Sequence, residues 1–263
     1  MTQNRWTKEQ LKLAYHLYCQ LPFGKLHSRN KEIIELASLI GRTPSAVAMK
    51  LTNFASLDPA IISSGRKGLP GASDLDREVS AEFHSNWEEL TVEAERIRRK
   101  LGGPLPLKKL HEIEPDSGFM PEDFSGETRR VVIQQRIKQY FFRRAVLSSY
   151  RQRCCMSGLS DPRLLVASHI VPWSKDKSNR LNPSNGLCLS AIHDRAFDKG
   201  LITLTDDLRV VLSKPLRKLN ESFVKEVFLP LDDRPIEKPE RFVPDLEFIA
   251  RHRKEVFIDN RKA

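Results

Sequence analysis

The stretch from Ser168 to Leu204 reads SHIVPWSKDKSNRLNPSNGLCLSAIHDRAFDKGLITL and contains the most specific pattern of the chain. It places His169, Asn185 and His193 in this order, 16 and 8 residues apart. A histidine on a short strand, an asparagine in the following loop and a histidine on a closing helix can converge on one divalent metal ion. The segment therefore predicts a compact unit of strand, loop and helix around a polar centre.

The segment resembles the HNH nucleases of the ββα-metal group, in the branch with the pattern (A/S)HI-x-PW…NGL-x-L…H-x-x-x-FD-x-GLI. Flanking apolar and glycine positions match together with the polar ones, which makes the pattern more specific than H…N…H alone. The matching residues are Ser168, His169, Ile170, Pro172, Trp173, Asn185, Gly186, Leu187, Leu189, His193, Phe197, Asp198, Gly200, Leu201 and Ile202. The resemblance implies a metal-dependent endonuclease that hydrolyses phosphodiester bonds of double-stranded DNA.

The resemblance also assigns a role to each polar residue. His169 is expected to act as the general base, because a histidine with an ordinary pKa of about 6.5 can take a proton from water at cellular pH. Asn185 is expected to anchor the loop and orient that imidazole. His193 is expected to bind Mg²⁺ or Mn²⁺, which would neutralise the scissile phosphate and the leaving oxygen.

Position 168 departs from the wider group. Many relatives have Asp or His there as a metal ligand, whereas Ser168 is a poor ligand for a hard cation. Asp194 and Asp198 are the nearby carboxylates that could complete the site, and Asp198 is the candidate for a second metal ligand beside His193. On a helix Asp198 lies off the face of His193, so its alternative role is to tether the loop at Gly200.

The cysteines offer no zinc-binding pattern. Cys19, Cys154, Cys155 and Cys188 form no C-x-x-C pair, so we expect buried apolar roles and no structural zinc. Without a secretory leader or an apolar run of membrane-spanning length, they favour a reducing, cytoplasmic setting with no membrane partner.

The charge of the chain favours a polyanionic partner. The net charge is +10 and the isoelectric point is about 9.5. Between Thr128 and Cys154 there are eight Arg or Lys residues and no acid, in a pattern that predicts a helix. The alternative for such a run is a solvated basic face. Beside a phosphate-cleaving centre we expect DNA-backbone contacts from Arg136, Arg143 and Arg144.

The N-terminal part carries a second, weaker signal. Helices are predicted over Lys8–Cys19 and Asn30–Leu39, and a third begins with Thr43 as N-cap and Pro44 in its first position. This arrangement resembles a helix-turn-helix, and the alternative is a structural or dimerisation module. The residues suited to DNA contact are Arg42, Lys50 and Asn53.

The predicted architecture is α+β. A helical module at 1–62 is followed by a linker and one long helix at 63–126, with the helix over Asp74–Leu101 and an acidic connector up to Gly126. The nuclease domain occupies 127–263 and includes a β-hairpin formed by Leu201–Leu204 and Leu208–Leu212.

Within this group we expect an enzyme of a restriction system. The alternatives are a homing or phage-packaging nuclease, or a sequence-specific DNA-binding regulator that does not cut. The intact trio of His169, Asn185 and His193 favours cutting. A double-strand cut by one nuclease centre per chain would favour a homodimer.

Overall fold

A computed structural model describes residues 5–66, 68–103 and 126–260. Its contacts divide the chain into two compact units, Met1–Ala145 and Val146–Ala263. The first unit is helical, and the second combines helices with small antiparallel sheets, which confirms the α+β class. The predicted acidic connector lies at 104–125, outside the described residues. The domain boundaries at 62 and 126 stay predictions.

The N-terminal unit is built from helices that pack around the first of them. Their bounds are α1 (Lys8–Gln20), α2 (Lys31–Leu39), α3 (Pro44–Ala55), α4 (Pro59–Ser63), α5 (Asp74–Ser85), α6 (Trp87–Lys100) and α7 (Gly126–Ser149), which continues into the second unit. α1 contacts α2, α3, α5 and α6. Its buried side chains, among them Leu11, Tyr15 and Tyr18, supply the centre of this core.

The predicted helix starts in this unit are confirmed. Asn30 caps α2 by accepting a hydrogen bond from Glu32 N at 2.9 Å. Thr43 caps α3 through its side-chain oxygen, with Pro44 in the first helical position. The basic run is helical from Thr128 to Ser149, as part of α7, and its last residues, 150–154, lie beyond the helix.

The single helix predicted over Asp74–Leu101 is wrong, because the chain breaks at Asn86 between α5 and α6. Asn86 Oδ1 accepts a hydrogen bond from Glu89 N at 3.2 Å, and its Nδ2 donates to Glu89 Oε2 at 2.7 Å. These hydrogen bonds cap the N-terminus of a helix, so α6 begins as a separate helix after Asn86. Phe83 and Trp87 pack across the break with ring centroids 6.0 Å apart.

The second unit contains the predicted ββα arrangement. β1 (Leu165–His169) pairs antiparallel with β2 (Gly186–Ser190), and α8 (Ala191–Asp198) follows directly. The register sets His169 opposite Gly186 and Leu165 opposite Ser190. The side chain of Ser190, the last residue of β2, caps α8. The polar loop 170–185 is therefore closed at both ends by this pair of strands.

The chain beyond α8 forms the predicted hairpin and a final helix. β3 (Ile202–Leu204) pairs with β4 (Val210–Leu212), which confirms the hairpin. The segment around Val224 is helical. The remaining helices are α9 (Lys214–Lys218), α10 (Ser222–Val227) and α11 (Leu246–Glu255). None of the described helices has the length and apolar character needed to cross a membrane.

Residues around Gly200 fix the last helix against α8. Gly200 has φ of +70°, and a Cβ atom there would lie 2.1 Å from Val256 O. His252 of α11 stacks on Phe197 at 3.7 Å, accepts from Thr203 Oγ1 at 2.9 Å, and donates to Phe197 O at 3.2 Å. Burial lowers the pKa of His252 to about 4, so the ring is neutral in this packing.

Candidate active site

His169 ends β1 and is held by a backbone carbonyl. Its Nε2 lies 3.0 Å from the carbonyl oxygen of Arg180. Because a carbonyl oxygen only accepts hydrogen bonds, Nε2 carries the proton of the neutral ring and the lone pair lies on Nδ1. The half-buried ring meets Trp173 at 87°, with 5.5 Å between ring centroids. The imidazole is therefore set in the tautomer whose Nδ1 can accept a proton from water.

Asn185 is fully buried and fixes the loop that follows β1. Its Oδ1 accepts from Val171 N at 2.8 Å, and its Nδ2 donates to Val171 O at 3.1 Å and Asn179 O at 3.3 Å. Its backbone oxygen accepts from Ile170 N at 3.0 Å. These bonds constrain the loop that carries Arg180, so Asn185 acts on His169 through that loop.

His193 lies in the first turn of α8 and points into the core. The residue is 2% exposed, and its Nδ1 lies 2.8 Å from Ser190 Oγ and 3.6 Å from Cys154 Sγ. The ring stands at 89° to Phe228, with 5.7 Å between centroids. Its Nε2 is buried without a hydrogen-bond partner in the described part of the chain. Nε2 is thus the nitrogen through which His193 could hold a metal ion.

Cys154 belongs to the same buried polar cluster. Burial would raise the pKa of its thiol, but hydrogen bonds from His193, from Ser157 and from the backbone of Ser157 and Met156 outweigh it and lower the pKa to about 6. The four cysteines are free thiols and all are buried. The Cys154–His193 contact joins the chain ahead of β1 to the first turn of α8.

The candidate metal ligands other than His193 lie on β1 and α8. Ser168 Oγ is buried without a hydrogen-bond partner in the described chain, and strand alternation directs it to the face opposite His169. On α8 the half-buried Asp194 and the exposed Asp198 are four residues apart and share one face. The described ranges contain no cluster of three or more His, Cys, Asp or Glu that could hold a metal. Mg²⁺ needs only one or two protein carboxylates beside waters and substrate phosphate.

The match to a protein family covers the segment that forms this centre. Residues 154–205 match the family HNH_2, described as HNH endonuclease. This segment is thus similar to an HNH endonuclease domain. HNH nucleases generally use a divalent metal.

A solved structure is similar to part of the chain. It is the "Modification dependent TagI restriction endonuclease", with 24% identity over 44% of this chain and 37% of that chain, at a TM-score of 0.35. The match thus spans less than two thirds of that protein. A comparison with curated proteins finds no match.

Two residues predicted to contact DNA from the N-terminal unit are bonded within that unit. Arg42 Nη2 donates to Arg5 O at 2.6 Å and to Gln10 Oε1 at 3.0 Å. Lys50 Nζ donates to both carboxylate oxygens of the fully buried Asp76, at 3.0 and 2.9 Å. A phosphate contact would require Lys50 to give up a pair that neutralises a buried charge. DNA contact by Arg42 and Lys50 stays a prediction.

Asn53 also faces the interior of the N-terminal unit. It is 9% exposed, and with its amide nitrogen turned toward carbonyls it donates to Met49 O at 3.3 Å and Leu69 O at 3.2 Å. The exposed positions of α3 are Ser45 and Met49. Base reading by Asn53 likewise stays a prediction.

The basic helix α7 holds arginines in different settings. Arg144 donates to both carboxylate oxygens of Glu32, at 2.6 and 2.8 Å. Burial would lower the pKa of Arg144, but the bonds to Glu32 outweigh burial and raise it. Arg144 therefore binds a carboxylate inside the N-terminal unit. Arg136 and Arg143 are half-buried, and their DNA contacts stay predictions.

Three residues of the HNH centre were not predicted from the sequence. Ser190 stands where a helix cap is favoured, three residues before His193, so this signal was visible in the chain. Cys154 reaches His193 from 39 residues away. Arg180 acts on His169 through its backbone oxygen, which any residue type could supply. Only the folded chain reveals the last two.

Proposed function

We propose that this chain is a divalent-metal-dependent endonuclease that cuts double-stranded DNA, with His169 as its general base. The hydrogen bond between His169 Nε2 and the Arg180 carbonyl carries the proposal, because it leaves Nδ1 as the proton acceptor. Nδ1 takes a proton from a water molecule, and the oxygen of that water attacks the phosphorus. The bond from phosphorus to the 3′ oxygen breaks, and this oxygen takes a proton from solvent.

We propose Mg²⁺ or Mn²⁺ as the cation. The groups that would hold it are the carboxylates of Asp194 and Asp198 and the buried Nε2 of His193. When bound, the cation would neutralise negative charge on the scissile phosphate and on the departing oxygen.

Cleavage of supercoiled plasmid tests this proposal. The full chain is incubated with Mg²⁺, Mn²⁺ or EDTA, beside His169→Ala and the control His27→Ala, which changes an exposed histidine of the N-terminal unit. Nicked and linear products should appear with either metal and disappear in EDTA. Undiminished cutting in EDTA would contradict metal dependence. Equal cutting by His169→Ala would contradict the role of the base.

We further infer a restriction role, in which the enzyme cuts foreign DNA in the cytoplasm. The restriction-type pattern around His169 and Asn185 supports this role. One plasmid prepared with and without base methylation should be cut at rates that differ at least about tenfold, since rejecting a site by one added or missing contact costs about that much. Cleavage that ignores methylation would favour a homing or phage-packaging nuclease. A double-strand cut would favour a homodimer, which sedimentation with DNA can detect.

A further inference from the structure

Phe223 on α10 is an aromatic residue that the fold leaves in solvent. It is 54% exposed, whereas every other described Phe, Tyr and Trp is buried or half-buried. A single exposed apolar side chain is common on protein surfaces, so exposure alone assigns no role. What distinguishes Phe223 is the group of rings behind it.

A line of aromatic contacts leads from Phe223 to the HNH centre. The rings of Phe223 and Phe228 meet at 72°, with 6.1 Å between their centroids. Phe228 is buried, and its ring meets that of His193 at 89°, with 5.7 Å between centroids. Only one phenylalanine therefore separates the exposed ring of Phe223 from the histidine that is proposed to bind the metal.

The short helix α10 holds Phe223 in place. Phe228 N donates to Val224 O at 3.0 Å, and both of these residues are buried, so the helix is anchored beside the exposed ring. An aromatic side chain has only two rotatable bonds and loses little conformational entropy when it makes a contact. Phe223 thus presents a rigid apolar surface to a partner.

The charge around Phe223 favours contact with bases over contact with phosphates. The exposed cations Lys218 and Lys225 are matched by the exposed acids Glu221 and Glu226. A near-neutral surface gains little from phosphates, whereas an apolar ring can stack on any base, because every base has a π-face. The attraction of DNA to the protein as a whole comes from the net charge of +10.

We propose that Phe223 contacts DNA beside the cleavage site by inserting its ring between stacked base pairs, and that Phe228 supports the ring from behind. The inference rests on the proposed function, since it assumes that His193 lies at the cleavage site. Apolar side chains that enter a base step unstack it and kink the duplex. The inserted ring would thereby fix the duplex relative to α8, which carries the proposed metal ligands.

Gel shifts in EDTA, where no cleavage is expected, measure the contribution of the ring to DNA binding. Phe223→Ala should weaken binding about tenfold, within the range for removal of a stacking aromatic residue. Phe223→Trp should stay within about threefold of the wild type, since its larger ring can still stack. The logarithmic salt dependence of binding should be the same in all three proteins, because an aromatic contact releases no counterions.

Permanganate, which oxidises unstacked thymines, measures the insertion itself. The probe is an end-labelled plasmid fragment with thymines on both sides of a cut that the wild type makes in Mg²⁺. Thymines beside the cut should react in the wild-type complex and become unreactive in the complex with Phe223→Ala. Reactivity that is absent from the wild-type complex, or that persists with Phe223→Ala, overturns the inference.

Leu246→Ala is the matched control, because it truncates an apolar residue of the same unit that is 48% exposed. Its binding should stay within about twofold of the wild type, as surface changes away from a site usually do. The inference is overturned if Phe223→Ala binds DNA as this control does. It is also overturned if Phe223→Ala changes the sedimentation of the free protein, which would make this surface an interface between copies of the chain.

A second variant keeps the test decisive if circular dichroism shows Phe223→Ala unfolded. Phe223→Gln places a polar side chain at the same exposed position: at least about a fivefold loss of binding supports the inference, and wild-type binding overturns it. A wild type that binds DNA but cuts none with metal refutes the proposed function instead. The gel shifts and their salt dependence would then still measure the contact of Phe223 with DNA.

Discussion

The loop after β1 and the first turn of α8 each hold one histidine of the HNH domain, and they hold it differently. His169 is half-buried, with Nε2 bonded to a backbone carbonyl and the lone pair of its neutral ring on Nδ1. His193 is 2% exposed, with Nδ1 bonded to Ser190 and near Cys154. The ring of His169 can exchange a proton with water, whereas the ring of His193 is held in the core.

This difference separates proton transfer from rigid positioning. A general base must be reached by the water that it deprotonates, so partial exposure is a requirement. A metal-binding or structural histidine works through a fixed ring whose other nitrogen is held by a neighbour, as Ser190 holds His193. Replacing His169 and replacing His193 are therefore expected to impair cleavage in different ways.

The largest effect is expected at His169. His169→Ala should lower the cleavage rate on the order of 10³-fold, because no group replaces the proton acceptor. DNA binding should stay within about twofold, since the imidazole acts on water and is not a phosphate ligand. Single-turnover cleavage and a gel-shift titration measure the two quantities. Loss of binding in parallel with cleavage would instead make His169 a binding residue.

The next effect is expected at Asn185, which holds the loop that follows the half-buried His169. Asn185→Ala leaves the buried Val171 N–H and C=O without partners and should cost about 2–3 kcal/mol in the free energy of unfolding. Cleavage should fall on the order of 10²-fold because Arg180 O is displaced from His169. Asn182→Ala, which removes one bond to Ser184 N in the same loop, serves as the control in urea unfolding and cleavage assays. Equal effects in the two variants would show that Asn185 does not control the base.

His193 should show a smaller loss tied to the metal. His193→Ala should reduce cleavage and weaken Mn²⁺ binding about 10–100-fold, the range for groups that hold or orient a metal ligand. Cys154→Ala removes the 3.6 Å contact with His193 and the 3.5 Å hydrogen bond from Ser157 N, leaves His193 Nε2 in place, and should change either quantity less than about tenfold. Calorimetric titration with Mn²⁺ and a cleavage assay on each variant measure metal binding and activity separately. Normal Mn²⁺ affinity in His193→Ala would make His193 structural and leave Asp194 and Asp198 as the ligands.

His252 is a buried histidine outside the proposed active site, and its effect is expected on the free energy of unfolding. Its folded pKa of about 4 lies below the ordinary value of about 6.5. As the pH falls, this histidine is therefore protonated in the unfolded chain before it is protonated in the folded protein. The contribution of the neutral ring to the free energy of unfolding is present above pH 6.5 and is lost toward pH 4, on the order of 3 kcal/mol. Urea unfolding at pH 7.5 and pH 5 should show a smaller difference for His252→Gln than for wild type. An unchanged difference would place this acid sensitivity elsewhere.

The arrangement of the HNH domain could be predicted because its signals are local. The spacing of His169, Asn185 and His193 and the flanking apolar positions suffice for strand, loop and helix. The break at Asn86 was also visible, because an asparagine three residues before Glu89 is a helix-cap pattern. The segment is rich in charged residues on both sides of Asn86, which favoured the prediction of one continuous helix.

Other features depend on tertiary contacts that the sequence does not display. The carbonyl of Arg180 reaches His169 only because Asn185 constrains the loop. In the N-terminal unit, Lys50 has a residue type suited to phosphate, yet its partner is Asp76, 26 residues further along the chain. Residue type indicates what a side chain can bind, and the fold decides which partner lies near.

Chemical rescue tests the central claim that His169 is the general base. The rate of plasmid cleavage by His169→Ala is measured in Mg²⁺ with added imidazoles of different pKa, with His27→Ala as the control. We expect the lost rate to return in part, in proportion to the concentration of neutral imidazole, with stronger bases restoring more of it. His27→Ala should not respond. A folded, DNA-binding His169→Ala that cuts at the wild-type rate without imidazole, or that no imidazole rescues, would contradict the account.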